Sequence, residues 1–168
     1  DGDGIFSHFD SIRARSSYRP KGVLEVAEDS ISIYNKVTKK QETVYTFGGY
    51  TRRFINEIRA KGATPILFTL TPRNDYEQDD PTKIQRKLTD FTPAIFAIGK
   101  EMNVPVIDLN DISATKLEKY GPWKTNYHFY LDKIHSSAYG ARMNAASAAE
   151  GILASTDPQL AEFKTYLN

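Results

Sequence analysis

Two short apolar runs place the strongest constraint on the fold that this chain can adopt. Residues 64–71 and residues 104–109 are nearly uncharged, and each follows a stretch with helical spacing of its apolar side chains. Uninterrupted apolar runs are typical of parallel strands that are covered on both faces. Helices that alternate with such strands predict an α/β fold with a parallel sheet, and 168 residues suit a single domain over residues 1–168.

The N-terminal elements are predicted from the spacing of apolar residues. Residues 1–30 show no clear period and predict a long surface loop. Residues 31–46 alternate apolar and polar side chains around a lysine-rich turn, which predicts a β-hairpin. Residues 47–61 predict an amphipathic helix that ends at Gly62. Its apolar stripe consists of Phe47, Tyr50, Phe54 and Ile58.

Three further helices are predicted towards the C-terminus. Residues 82–103 carry a helical stripe that Pro93 interrupts, so either the helix kinks there or Thr92 caps a new helix with Pro93 at its first position. A short helix that ends at a Gly-Pro pair is expected over residues 110–120. An alanine-rich helix over residues 138–154 follows, and its small side chains would let it lie close to the sheet.

Composition excludes several functional classes. The formal net charge is +1 and no basic cluster is interleaved with aromatic residues, so a nucleic-acid partner is not expected. No apolar run approaches the roughly 20 residues of a membrane span, so a membrane partner is not expected either. The chain has no cysteine, which excludes a disulfide framework and thiolate chemistry.

The main candidate for chemistry is an acid and a histidine that lie three residues apart, Asp132 and His135. In a loop, this spacing lets the carboxylate reach Nδ1 of the imidazole and stabilise its charged form. Nε2 is then free to take a proton from a nucleophile. The helix that begins near Ser137 would hold the loop in place. The alternatives are an ordinary surface pair and a chance arrangement that only caps the following helix.

Two other interpretations concern the same region. The spacing of His128, Asp132 and His135 could hold a zinc ion, although we expect no stoichiometric metal and no cofactor. A nucleophile within the chain would be a serine, and the candidates are Ser7, Ser16, Ser17, Ser136 and Ser137. None of them sits in a strand-to-helix elbow, and the last two are better explained as caps of the final helix.

Substrate contacts are predicted at two places. Ligands of open α/β sheets bind beyond the carboxyl ends of the strands, so Arg73 and Asn74, which follow the first apolar run, are candidate substrate-binding residues. A solvated turn explains them equally well, and Asp108 at the end of the second run is interpreted as a helix-capping acid. The aromatic segment 123–131 fits either a sugar-binding cleft or core packing beneath the acid–histidine loop, and we favour core packing.

Three segments of the chain resemble the SGNH (GDSL-type) hydrolases, and among them the rhamnogalacturonan acetylesterase branch of carbohydrate esterases. They are YTFGGYTRRFINEIRAKGATPILFTLTPRN over 45–74, GKEMNVPVIDLN over 99–110 and YLDKIHSSAYGARMNAASAAEGI over 130–152. The resemblance implies a three-layer α/β/α sandwich with a flavodoxin-like parallel sheet, and metal-free removal of acetyl groups from an acetylated polysaccharide or oligosaccharide. It also implies that Asp132 and His135 are the acid and base of a Ser-His-Asp triad, and that the protein is secreted or periplasmic.

The chain departs from this family in one respect. It contains no Gly-Asp-Ser motif, which carries the family's nucleophile, and its opening Asp-Gly-Asp-Gly resembles the residues that follow the Asn of a later family block. We therefore expect a domain that lacks its N-terminal strands, with the nucleophile on an N-terminal segment that acts as a partner. The chain alone is then expected to be inactive. The alternative is a non-catalytic carbohydrate-binding remnant of the same fold.

Overall fold

The computed structural model describes residues 30–35, 38–86 and 91–167. The surface loop predicted for residues 1–30 lies outside this part, apart from Ser30. In chain order, the described helices and strands are β1 (Ser30–Asn35), β2 (Lys40–Tyr45), α1 (Phe47–Ala60), β3 (Leu67–Phe68), α2 (Phe91–Met102), β4 (Val106–Ile107), α3 (Leu109–Thr125), α4 (Ala138–Ala154) and α5 (Ala161–Thr165). The first of two compact units contains β1, β2, α1 and most of α2, and the second contains β3, β4 and α3 to α5. None of these helices combines the length and apolar character that a bilayer crossing requires.

The first unit begins with the predicted β-hairpin, which is confirmed. β1 and β2 pair antiparallel in a register that runs from Ser30 opposite Tyr45 to Asn35 opposite Lys40. At the turn, the Asn35 side chain accepts the backbone N–H of Thr38 (3.2 Å). Asparagine suits this position because its side chain can bond to nearby backbone groups in place of a further strand residue.

The predicted helix over residues 47–61 is confirmed as α1, but its buried face is not the predicted one. Phe54 and Ile58 of the predicted apolar stripe are exposed, whereas Gly48, Gly49 and Ile55 are buried. Gly48 and Ile55 lie about two helical turns apart and therefore share a face. A glycine lets the backbone approach its surroundings closely, so this side of the helix is buried in preference to the side with the larger apolar residues.

Pro93 lies in the first turn of α2, which begins at Phe91. Of the two predicted arrangements, a new helix near Pro93 is closer to the structure, except that Thr92 lies within the helix and does not cap it. A proline in the first turn loses no intrahelical hydrogen bond, which explains why the helix tolerates it. The predicted stripe over residues 82–103 began with Ile84, which the structure places outside α2, buried in the core of the second unit.

The second unit contains the predicted pair of parallel strands. β3 and β4 pair in parallel with Leu67 opposite Val106, so the mixed α/β class is confirmed. Each strand has only two residues and is shorter than the apolar run that predicted it. Directly after β3, the side chain of Thr69 connects the two strand ends. Its Oγ1 donates to Asp108 Oδ1 (2.8 Å) and accepts the N–H of Asn110 (2.8 Å).

α3 starts as predicted and ends later than predicted. Asp108 is its N-cap and accepts the N–H of Asp111 (3.2 Å), which confirms the interpretation of Asp108 as a capping acid. The helix was predicted to end at the Gly-Pro pair. Instead, it has a kink at Gly121 (φ 76°, ψ 165°) and continues as far as Thr125. The core packed around this helix consists of Ile84, Ala114, Leu117, Phe129 and Met143.

α4 confirms the last predicted helix, but its alanines are not the residues that face the core. The buried positions recur every three or four residues and are Gly140, Met143, Ser147 and Gly151. A Cβ on Gly151 would lie 2.3 Å from Cγ2 of Ile107 in β4. The close approach of helix and sheet therefore depends on glycine at this position.

Candidate active site

His135 lies in a short hairpin, residues 128–137, termed the site hairpin. Phe129 and Ser136 form an antiparallel bridge, and the Tyr130 N–H donates to the His135 carbonyl (2.9 Å). The site hairpin therefore places the backbones of Tyr130 and His135 side by side.

Asp132 occupies the turn of the site hairpin and binds His135 twice. Its Oδ1 accepts the N–H groups of Ile134 (2.8 Å) and His135 (2.7 Å), and its Oδ2 accepts the ring Nδ1–H of His135. The hydrogen bond from the His135 ring, followed by the two backbone N–H groups, lowers the pKa of Asp132 to about 2. Asp132 is therefore ionised at ordinary pH and fixes both the position and the tautomer of the ring.

The second ring nitrogen of His135 is open to a reactant. The His135 side chain is 75% exposed, and no residue of the described chain bonds to its Nε2. A base that is oriented through Nδ1 and unoccupied at Nε2 can accept a proton from a nucleophile and later return it to a leaving group. The structure thus brings the predicted acid and base together in the arrangement that this chemistry requires.

α4 and the core hold the site hairpin from beneath. Ser137 caps α4 by accepting the N–H of Gly140 (3.3 Å), as predicted, and its hydroxyl donates to the Tyr127 carbonyl (2.5 Å). A Cβ on Gly140 would lie 2.0 Å from the carbonyl oxygen of His128. Phe129 is buried in the core. The small residue at position 140 therefore lets α4 begin directly against the hairpin that presents His135.

The chain after β3 holds the turn of the site hairpin from the other side. The Asn74 N–H donates to the Lys133 carbonyl (2.9 Å), and its side-chain amide donates to Asn126 Oδ1 (2.8 Å). Asp75 accepts from Lys133 Nζ (2.8 Å) and lies 3.3 Å from Arg73 Nε. Sequence reasoning placed Arg73 and Asn74 near the site, but it missed Asp75 and Lys133. The position of Lys133 between the acid and the histidine was the available signal.

His128 is held away from the acid–histidine pair. Its ring stacks on Tyr120 with a centroid distance of 4.8 Å and an interplanar angle of 14°. Its Nδ1 lies 3.3 Å from the carbonyl of Lys124. Within the described residues, no three histidine or acidic side chains gather as metal ligands. The structure therefore does not assemble the zinc site that the spacing of His128, Asp132 and His135 could suggest.

The aromatic segment 123–131 is mostly on the surface. Trp123, Tyr127 and Tyr130 are exposed, whereas Phe129 is buried. The favoured prediction of core packing is therefore wrong for these three residues and correct for Phe129. Exposed aromatic side chains keep the other prediction, a surface that binds sugars, open.

The described serines near His135 are engaged in structural roles. Ser136 accepts a hydrogen bond from the Asn144 amide (3.3 Å) and is not a helix cap, whereas Ser137 is one. Neither hydroxyl bonds to His135 in the part of the chain that the structure describes. The remaining candidates, Ser7, Ser16 and Ser17, lie outside the described residues.

The fold is similar to that of an SGNH-like hydrolase. The structure matches the crystal structure of protein YXIM from Bacillus subtilis with a TM-score of 0.59 and 27% sequence identity, over 64% of this chain and 30% of that chain. No protein-family model matches the chain.

The particular relatives among curated proteins are rhamnogalacturonan acetylesterases. The chain is 31% identical over 121 residues to rhamnogalacturonan acetylesterase RhgT of Bacillus subtilis, which covers 64% of this chain and 51% of the relative. It is 29% identical over 123 residues to the probable rhamnogalacturonan acetylesterase YesY of the same organism, which covers 70% of this chain and 55% of the relative. The resemblance to the SGNH rhamnogalacturonan acetylesterases is therefore confirmed. The chain spans about half the length of the curated relatives it matches.

Proposed function

We propose that the complete protein is a serine esterase that removes acetyl groups from a plant cell-wall polysaccharide such as rhamnogalacturonan, pectin or xylan. The observation that carries this proposal is the pairing of Asp132 with His135 Nδ1 in a chain that is similar to rhamnogalacturonan acetylesterases. Arg73 and Asn74 are proposed to contact the polysaccharide, because they follow a parallel strand and lie beside the turn that carries Asp132.

In the proposed reaction, His135 Nε2 accepts the proton of a serine hydroxyl while the serine oxygen attacks the acetyl carbonyl. Asp132 stabilises the imidazolium that forms. His135 then gives the proton to the sugar oxygen as the carbon–oxygen bond breaks, which leaves an acetyl-enzyme. Water attacks the acetyl-enzyme with His135 again as base, and acetate and the free serine are released.

The serine and the oxyanion donors are proposed to come from a segment outside these 168 residues. The 168 residues contain no Gly-Asp-Ser motif, and the matched relatives are about twice as long as the matched region. The same segment would add strands beside β3 and β4 and complete a three-layer α/β/α sandwich. This chain alone is then inactive. Secretion or export to the periplasm is proposed because a polymeric substrate does not cross a cell membrane.

The experiment compares acetate release from acetylated rhamnogalacturonan by the complete protein, by the 168-residue chain and by the complete protein with His135→Ala. We expect activity in the first and none in the other two. Equal activity with and without His135 would contradict the proposed base. A complete protein that binds the polysaccharide but releases no acetate would instead identify a carbohydrate-binding remnant.

A further inference from the structure

Exposed aromatic side chains are concentrated in the chain that leads into the site hairpin. Trp123 and Tyr127 contact each other edge to face, with ring centroids 5.2 Å apart and an interplanar angle of 77°. The two residues are 70% and 56% exposed. Large aromatic side chains normally gain free energy by burial, so an exposed pair points to a ligand or to another part of the complete protein that covers it.

A rigid backbone holds the pair at the surface. The kink at Gly121 ends the first part of α3, and a further helical turn begins at Pro122 and carries Trp123. This turn is anchored by Thr125, which is buried and whose hydroxyl donates to the Leu117 carbonyl (3.0 Å). The buried Thr125 therefore anchors the backbone turn that carries Trp123, while the aromatic rings themselves stay exposed.

Hydrogen bonds to backbone groups connect the chain from Tyr127 onwards to the hairpin of the candidate base. Tyr127 immediately precedes the site hairpin, and its carbonyl accepts from the Ser137 hydroxyl (2.5 Å). Tyr130 is exposed, and its backbone N–H donates to the carbonyl of His135. An acetyl group occupies only the reacting position, so the rest of a polymeric substrate lies on the surface around His135.

We propose that Trp123, Tyr127 and Tyr130 form a subsite that binds a pyranose ring of the polysaccharide by stacking on its C–H face. The subsite rests on the proposed function, because the polymer reaches it only when an acetyl group is at His135. A sugar ring suits these residues because its apolar C–H face matches an aromatic plane and its hydroxyl groups remain in water.

The first test compares two substrates of the complete protein, acetylated rhamnogalacturonan and 4-nitrophenyl acetate, which has no sugar ring. In Trp123→Ala and in Tyr127→Ala, kcat/KM for the polysaccharide should fall about tenfold further than kcat/KM for the small ester. Trp123→Phe should recover most of the loss because it restores a ring. The matched control is Tyr166→Ala, an exposed aromatic in the C-terminal region, which should change neither value.

The outcomes separate the subsite from the reaction. Small-ester hydrolysis that depends on His135, together with equal losses on both substrates in Trp123→Ala, would overturn the subsite and leave the proposed function intact. Absence of any His135-dependent hydrolysis would overturn the proposed function.

Binding is measured independently of catalysis. Calorimetric titration of the complete His135→Ala protein, which should not turn over its ligand, with acetylated rhamnogalacturonan oligosaccharides should give a dissociation constant that rises about tenfold on adding Trp123→Ala. An unchanged dissociation constant would overturn the subsite. A protein dimer that Trp123→Ala dissociates, with polysaccharide kinetics unchanged, would also overturn it, because a second copy would then be the occupant.

Discussion

The second unit contains two pairs of an acid and a base that differ in their exposure to solvent. They are Arg86 with Glu118 and His135 with Asp132. In each pair, the hydrogen bond from the partner is the main reason that the pKa of the acid is lowered, for Asp132 to about 2. The Glu118 side chain is 11% exposed, whereas that of Asp132 is 47% exposed. A lowered pKa therefore does not distinguish a pair that holds the fold from one that is placed for chemistry.

The two pairs differ in how completely their bonding groups are used. Arg86 donates through Nε to Asp111 (2.6 Å), through Nη2 to Thr115 (3.0 Å) and through Nη1 to Glu118. Glu118 also accepts the backbone N–H of Ile84 (3.0 Å). All three guanidinium nitrogens are thus engaged by the protein, whereas His135 Nε2 has no partner among the described residues. An oriented side chain with an unused polar atom is the feature that points to function.

Of the tests of this comparison, removal of His135 has the largest expected effect. In the complete protein, His135→Ala should lower kcat for acetate release by at least about 10³-fold, because no other described group can replace the base. The midpoint of thermal unfolding should change little, since the side chain is exposed. Acetate release and a thermal melt of the same preparation measure both. Retained activity would place the base elsewhere.

Gly140→Ala tests the support beneath the site hairpin. The added Cβ would meet the His128 carbonyl at 2.0 Å, so α4 and the hairpin must separate. We expect a loss of about 1–3 kcal/mol in the free energy of unfolding, measured by urea denaturation. Ala145→Ser, at an exposed position of α4, is the control and should stay near the original stability. An unchanged midpoint in Gly140→Ala would mean that the hairpin is not fixed by α4.

Glu118→Gln should affect stability and leave the chemistry alone. The change removes the charge that faces the partly buried Arg86, and we expect a loss of about 1–2 kcal/mol in the free energy of unfolding. The control is Glu150→Gln, whose exposed pairing with Lys116 is screened by solvent and should contribute less to stability. Denaturation curves together with kcat per folded molecule separate the two effects. A fall in kcat would mean that the pair of Arg86 and Glu118 also contributes to catalysis.

Arg73→Ala and Asn74→Ala test the residues that follow β3. Arg73→Ala should raise KM for the acetylated polysaccharide about threefold to tenfold, because it removes one exposed donor from the proposed substrate surface. Asn74→Ala should lower kcat as well, because it also removes the bond to Asn126 that steadies the hairpin turn. Steady-state kinetics on the complete protein separate KM from kcat. If neither parameter changes in either variant, both residues belong to an ordinary solvated turn.

The smallest effect on stability is expected from lowering the pH. The folded pKa of Asp132 lies at about 2, below the value of about 4 for a free aspartate. Its stabilising interaction is therefore fully present above pH about 4 and is lost only as the pH falls towards 2. The carboxyl carbon of Asp132, followed by NMR, should titrate with a midpoint near 2. A midpoint near 4 would mean that the hydrogen bonds to the carboxylate do not persist in solution.

The sequence predicted several elements because their signals are local. The caps at Asp108 and Ser137 each depend on residues three positions apart, and the hairpin of β1 and β2 pairs residues at most fifteen positions apart. The pairing of Asp132 with His135 is local for the same reason, since three residues of chain bring the side chains together. The roles of these two residues in catalysis, and the single domain over residues 1–168, stay predictions.

The buried faces of the helices were predicted less well. In α1 the residues Phe54 and Ile58 are exposed, and in α4 the buried face contains Gly140 and Gly151, not the alanines. Periodicity assigns larger apolar residues to the core because burial of apolar area is favourable. Where two backbones approach closely, glycines are buried in preference to the larger apolar residues. A single sequence does not say where that happens.

The sequence by itself determined the secondary structure around the site, the acid–histidine pair and the family resemblance, because all three depend on short stretches of chain. The tertiary structure decided which side chains surround that pair. Asp75 reaches Lys133 across 58 positions, and Asn74 reaches Asn126 across 52. It also decided that Trp123 and Tyr127 lie at the surface, since their exposure depends on the kink at Gly121 and the anchoring of Thr125. Contacts between distant segments are set by how the helices and strands pack, which no local pattern encodes.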